Sequence, residues 1–122
     1  MDCGAVGCHA WGPGIRERLA RQVCNIRHWS VVCGSYADLD VSRDATWFVD
    51  PPYVDAGRHY RHGSSGVDYG HLADWCRSLP GQVMVCENRG ASWLPFEDFA
   101  TIAGTNGSGR SGRSHEVLWL QG

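Results

Sequence analysis

The sequence predicts an α/β domain with a mostly parallel sheet and an antiparallel strand at its end. Three observations carry this. The runs "ATWFVD" and "QVMVCE" are apolar up to a final carboxylate, as strands buried on both faces should be. The segment between them, "VDYGHLADWCRSLPG", has helical spacing. Strand and helix in alternation is the pattern of a parallel sheet. The closing segments "EDFATIAG" and "EVLWLQ" lie near enough in sequence to form a hairpin.

In chain order, residues 1–13 are rich in Gly and Cys, carry no periodicity, and are read as an irregular arm. Residues 14–122 form the domain. In "GIRERLARQVCNIRHW", Ile15, Leu19, Val23 and Ile26 make one apolar stripe, which predicts a helix packed on the sheet. "SVVCG" is a short apolar run closed by Gly34 and reads as a strand. "ATWFVD" is the next strand, followed by the long loop "PPYVDAGRHYRHGSSG". The helix after it places Leu72, Trp75, Cys76 and Leu79 on one face and stops at Pro80-Gly81. "QVMVCE" is a third buried strand, "NRGASWLPF" a loop, and "TNGSGRSGRSH" a flexible link between the last two strands. Trp47, Trp75 and Trp119 read as core, Trp93 and Phe96 as either core or site, and Glu87 as either facing the cleft or facing solvent.

Composition narrows the class. With 122 residues, 43% apolar and 20% charged, the chain suits one compact soluble domain. No apolar run is long enough to span a membrane, and the N-terminus lacks the basic start and apolar stretch of a signal peptide, so the expected compartment is the cytoplasm. Net charge is −2, and every cation is Arg, the better fork for phosphates and base edges. The six cysteines form no CxxC and read as reduced core thiols. Cys3, Cys8 and His9 match no common zinc spacing, so no metal site is expected.

"GSGRSG", residues 107–112, matches GxGxxG but precedes a strand and opens no helix, so it is not a dinucleotide fingerprint. Asp50-Pro51-Pro52-Tyr53 is the stronger signal. Asp50 ends a strand, at the end where open α/β sheets bind ligands. Two prolines stiffen the turn and remove two backbone donors, and Tyr53 adds a flat face. A carboxylate, a carbonyl and a ring on one rigid turn suit a planar molecule with an amino group.

From about Trp11 onward the chain resembles the C-terminal half of the Dam-like (D12 class) adenine-specific DNA methyltransferases, phage-type members especially. The resemblance rests on "DPPY", "GSYADL", "GQVMVCE", "ASWLPF" and "GRSHEVLW" in order. It implies a partial Rossmann-like S-adenosylmethionine-dependent methyltransferase fold and transfer of a methyl group to the N6 amino group of a flipped adenine. It also implies roles. Asp50 and the Pro51 carbonyl accept the two amino N–H bonds, with Pro52 and Tyr53 completing the catalytic turn and Tyr53 stacking on the base. Asp38 and Tyr36 of "GSYADL" meet the cofactor. Arg58, Tyr60 and Arg61 in the loop, with Arg110 and Arg113 near the C-terminus, are the candidate DNA contacts. The family's Gly-rich cofactor loop lies N-terminal to the part that this chain matches, so the expectation is a truncated or split enzyme. A homodimer or a complementing polypeptide would then supply the rest. The alternative is an inactive remnant that binds nucleic acid or a partner.

Overall fold

The structure is a computed structural model that describes residues 12–105 and 111–122. The chain divides into two units, Met1–Ser35 and Tyr36–Gly122. In the first, helix α1 spans Pro13–Gln22 and runs into a short 3-10 turn, Val23–Ile26. Pro13 sits in the first turn, where its missing N–H costs nothing, so the helix starts inside the expected arm. None of its residues is buried, and Leu19, Val23 and Ile26 of the apolar stripe are exposed. The strand expected at "SVVCG" does not form: Val31 is 95% exposed and Val32 75%. A strand needs a neighbour to take its backbone bonds, and apolar sequence alone supplies none.

The second unit is a four-stranded sheet with one helix. Strand β1 is Ala45–Val49, helix α2 Tyr69–Ser78, β2 Gly81–Asn88, β3 Glu97–Thr105 and β4 Ser111–Gln121. The order across the sheet is β1-β2-β4-β3. Only β1 and β2 are parallel, whereas β4 runs antiparallel to both β2 and β3. The sheet is therefore mixed, and the mostly parallel Rossmann-like layout is not what this chain builds. The reason is that the last strand inserts between β2 and β3 and makes both of its pairings antiparallel. β4 is also longer than "EVLWLQ": half of the supposed flexible link, "SGRSH", pairs along β3.

Burial is one-sided. Val83, Val85 and Glu87 alternate onto the face that also holds Leu72, Ala73 and Cys76 of α2, with Leu79, Leu94, Val117 and Trp119. Each fully buried Leu or Val contributes about 1.5–3 kcal/mol relative to exposure, so this face carries most of the apolar stabilisation. β1 is an edge strand rather than one buried on both faces, and its Phe48 is 65% exposed. Asp68 caps α2 by accepting from the His71 amide at 3.0 Å, and the helix stops just before Pro80. Trp47 Nε1 donates to the Pro80 carbonyl at 2.7 Å, which ties β1 to the α2–β2 corner. Among the described residues no helix is long and apolar enough to cross a membrane.

The cysteines do not behave alike. Cys76 is fully buried and its thiol is pushed up to about 11, by burial, while Cys86 is half-buried and Cys24 and Cys33 are exposed. A thiol reagent at neutral pH is therefore expected to modify Cys24 and Cys33 in the native protein and to reach Cys76 only after denaturation. Modification of Cys76 at the rate of the exposed thiols would contradict this packing.

Candidate functional site

The parallel pairing of β1 with β2 runs to Val49↔Val85, where β1 ends while β2 continues to Asn88. Asp50 follows β1 and is exposed, while Pro51, Pro52 and Tyr53 are half-buried. All four line a cavity of about 680 Å³, together with Ala56, Gly57 and Tyr60.

Four hydrogen bonds hold the turn. The Gly57 amide donates to the Tyr53 carbonyl at 2.7 Å, closing the segment onto itself. The Tyr69 hydroxyl, at the start of α2, donates to the Pro52 carbonyl. The Val54 amide donates to both Glu87 oxygens, at 3.3 and 3.2 Å. The Tyr53 hydroxyl donates to Glu116 Oε2 at 3.2 Å. None of these four bonds uses the Asp50 carboxylate or the Pro51 carbonyl. Burial, with the Asp50 and Glu116 carboxylates nearby, raises the Tyr53 hydroxyl well above its usual range. Burial and then Glu87 raise that of Tyr69. Both phenols therefore stay protonated as donors at any ordinary pH.

Gly57 packs directly on the turn. A Cβ there would lie 2.7 Å from the Pro52 carbonyl carbon and 2.8 Å from its Cβ. These are ring and backbone atoms that cannot swing away. Gly57→Ala is expected to push the turn off its position and cost roughly 1–3 kcal/mol, the usual range for overpacking. A thermal melt of the variant equal to wild type would contradict that close approach.

A second cavity of about 320 Å³ shares the Asp50-Pro51-Pro52 wall. Its other walls are mostly apolar and include Tyr36, Trp47, Val67, Leu72 and Trp75. Tyr36 stands edge-on to Trp75 at 5.0 Å between ring centres, and its hydroxyl pairs with His71 Nδ1 at 2.7 Å. Of the two residues expected to meet a cofactor, Tyr36 thus lines this cavity. Asp38 is exposed in the 3-10 turn Tyr36–Asp38 and lines neither cavity. A slot of this size suits a flat ring. Among the described residues its one carboxylate is Asp50, and these residues offer no further acid to the hydroxyls or the ammonium group of an S-adenosylmethionine. The described residues therefore do not make a complete donor site.

Of the expected nucleic-acid contacts, Tyr60 lines the main cavity and is exposed. Arg58, in the 3-10 turn Ala56–His59, and Arg61 are exposed on the same loop without lining the cavity. Arg113 is exposed on β4, away from the cavity lining, and Arg110 lies outside the described residues. Cys3, Cys8 and His9 also lie outside them. Among the described residues no group of three or more metal-ligating side chains comes together.

Sequence reasoning missed the turn's supports: Gly57, Tyr69 and Glu116. Each lies on a different element, and no local pattern joins them. Glu87 carried a readable sign, since an acid ends the apolar run of β2 just as Asp50 ends that of β1. Trp93 is half-buried with its Nε1 on Glu87 Oε2 at 3.1 Å, and Phe96 packs on it, so both are supporting residues. No protein-family model, no curated protein and no solved structure matches the chain.

Proposed function

We propose that Asp50 and Pro51 hold the exocyclic amino group of an adenine presented out of a DNA strand, as the acceptor half of an adenine N6-methyltransferase site. One observation carries the reading. The carbonyls of Pro52 and Tyr53, the Val54 amide and the Tyr53 hydroxyl are bonded within the chain, by bonds that leave the Asp50 carboxylate and the Pro51 carbonyl unused, and both residues line the cavity. Two acceptors on a clamped turn match the two N–H bonds of an aromatic amine. Accepting both localises the nitrogen lone pair, the condition for attack on an electrophilic methyl group, and it does so by preorganised electrostatics rather than by a strong base. Tyr53 supplies the flat wall. Stacking on such a ring contributes about 1–3 kcal/mol, which offsets much of the cost of flipping the base. The ordered resemblance to the Dam-like enzymes supports the same reading through its turn, not through the layout of the sheet.

The methyl donor in this reading is S-adenosylmethionine, which supplies the electrophilic methyl group when bound. A second copy or a complementing polypeptide completes the donor site. A second reading, a module that binds adenine-bearing strands without transfer, is favoured by one observation: Asp38 stands outside both cavities, and among the described residues the second has no acid but Asp50.

The test is incorporation of labelled methyl from S-adenosylmethionine into mixed-sequence DNA, with the product digested to nucleosides and Asp50→Ala as control. The expected product is N6-methyladenine, reduced roughly 10²–10³-fold in the variant, as for loss of one preorganised catalytic hydrogen-bonding group. Binding without incorporation would favour the second reading. A folded chain that does neither would overturn both.

A further inference from the structure

Glu87, next to the last residue of β2, is 1% exposed, yet none of the ion pairs among the described residues involves it. Its carboxylate meets N–H donors instead. Oε1 accepts from the Asn88 amide at 2.8 Å and the Val54 amide at 3.3 Å, and Oε2 accepts from Trp93 Nε1 at 3.1 Å and the Val54 amide at 3.2 Å. Val54 follows Tyr53 directly, so a side chain on β2 fixes the end of a turn that leaves β1. Trp93 in turn packs on Tyr69 at 5.4 Å between ring centres, and the Tyr69 hydroxyl holds the Pro52 carbonyl. One buried carboxylate thus reaches the turn by two routes.

A fold that needed only to fill this space would place an apolar residue there, because a buried carboxylate is costly without compensation. The donors also require a carboxylate specifically. With N–H groups aimed at both oxygens, glutamine would set its own NH₂ against a donor on one side or the other. We infer that Glu87 is the positioning residue of the acceptor site: through Val54, and through Trp93 and Tyr69, it fixes where the Asp50 carboxylate and the Pro51 carbonyl stand. The inference rests on the acceptor-site reading above.

The experiment uses NMR on the full chain, together with binding of an adenine-bearing single-stranded DNA. In wild type, a through-hydrogen-bond coupling should connect the Val54 amide nitrogen to the Glu87 side-chain carboxylate. In Glu87→Gln, the Val54 amide should exchange with solvent at least about tenfold faster, the Trp93 indole N–H should shift, and affinity for the DNA should fall roughly tenfold, as expected for lost hydrogen bonds to a charged group. Asp50→Ala should lower affinity while leaving the Val54 and Trp93 signals in place. Unchanged Val54 and Trp93 signals in Glu87→Gln would overturn the inference. So would changed signals with unchanged affinity, since the carboxylate would then serve the fold alone. If wild type binds no adenine-bearing strand, the acceptor reading falls and the positioning role with it, and the coupling still shows whether the clamp exists. Should Glu87→Gln fail to fold, Trp93→Phe takes its place. It keeps the carboxylate, removes one of its donors, and must show the same direction of change in Val54 exchange and in affinity.

Discussion

Gly81→Ala is expected to destabilise the domain more than Gly57→Ala or any change at the exposed acceptor carboxylate. Gly81 opens β2 with φ +83°, in the left-handed region that costs an L residue roughly 1–2 kcal/mol. It also sits against the start of β1, where an added Cβ would fall 2.3 Å from the Ala45 carbonyl oxygen and 2.8 Å from the Ala45 nitrogen. Both are backbone atoms of the strand it pairs with, so no side-chain rotation relieves the clash. The overpacking adds about 1–3 kcal/mol. The sum, about 2–5 kcal/mol, is a large share of the ~5–15 kcal/mol that holds a typical domain together. A melting temperature lower by roughly 10 °C or more is the expected readout. Because β1 leads directly into Asp50, any variant protein that still folds should also bind adenine-bearing DNA less well. A melt within a degree or two of wild type would contradict the β1–β2 register at Ala45↔Gly81.

Asp50→Ala should behave in the opposite way, with a large effect on binding and almost none on stability. The carboxylate is exposed and takes no part in the four bonds that hold the turn. Its removal therefore leaves no buried donor unsatisfied, and the melt should stay within about 0.5 kcal/mol of wild type, as for surface substitutions. A hydrogen bond to a charged acceptor contributes roughly 1.5–3 kcal/mol, so affinity for an adenine-bearing strand should fall about 10- to 150-fold. An isotherm unchanged from wild type would remove Asp50 from the site. The contrast with Gly81→Ala separates the residue that meets the ligand from the one that places it.

Local pattern made some of this legible. "ATWFVD" gives the strand that leads into Asp50, and the apolar spacing up to Pro80-Gly81 gives α2 and its stop. The two prolines and the ring mark the turn as rigid and flat. What was not legible depends on partners distant in the chain. Whether β4 lies at the sheet edge or between β2 and β3 is decided by pairing across the sheet, which no window of sequence records, so the mostly parallel expectation failed there. "SVVCG" has strand character without a strand neighbour, and "SGRSH" has loop character but pairs along β3. Glu87 could not be placed because its burial depends on an amide at Val54 and an indole at Trp93 that fold around it. The same holds for Tyr69 and Glu116, which fix the turn from α2 and β4.

The central claim is that Asp50 and Pro51 recognise an amino group, and one binding comparison tests it most directly. Two single-stranded DNAs of the same sequence are titrated into the chain, one carrying adenine and the other purine without the amino group at the same positions. The missing group removes two N–H bonds, one to a carboxylate and one to a carbonyl, together about 2–4 kcal/mol, so the adenine strand should bind roughly 30-fold or more tightly. That preference should shrink about tenfold or more in Asp50→Ala, which leaves only the bond to the Pro51 carbonyl. Equal affinity of wild type for the two strands would contradict the account, whatever the strength of binding.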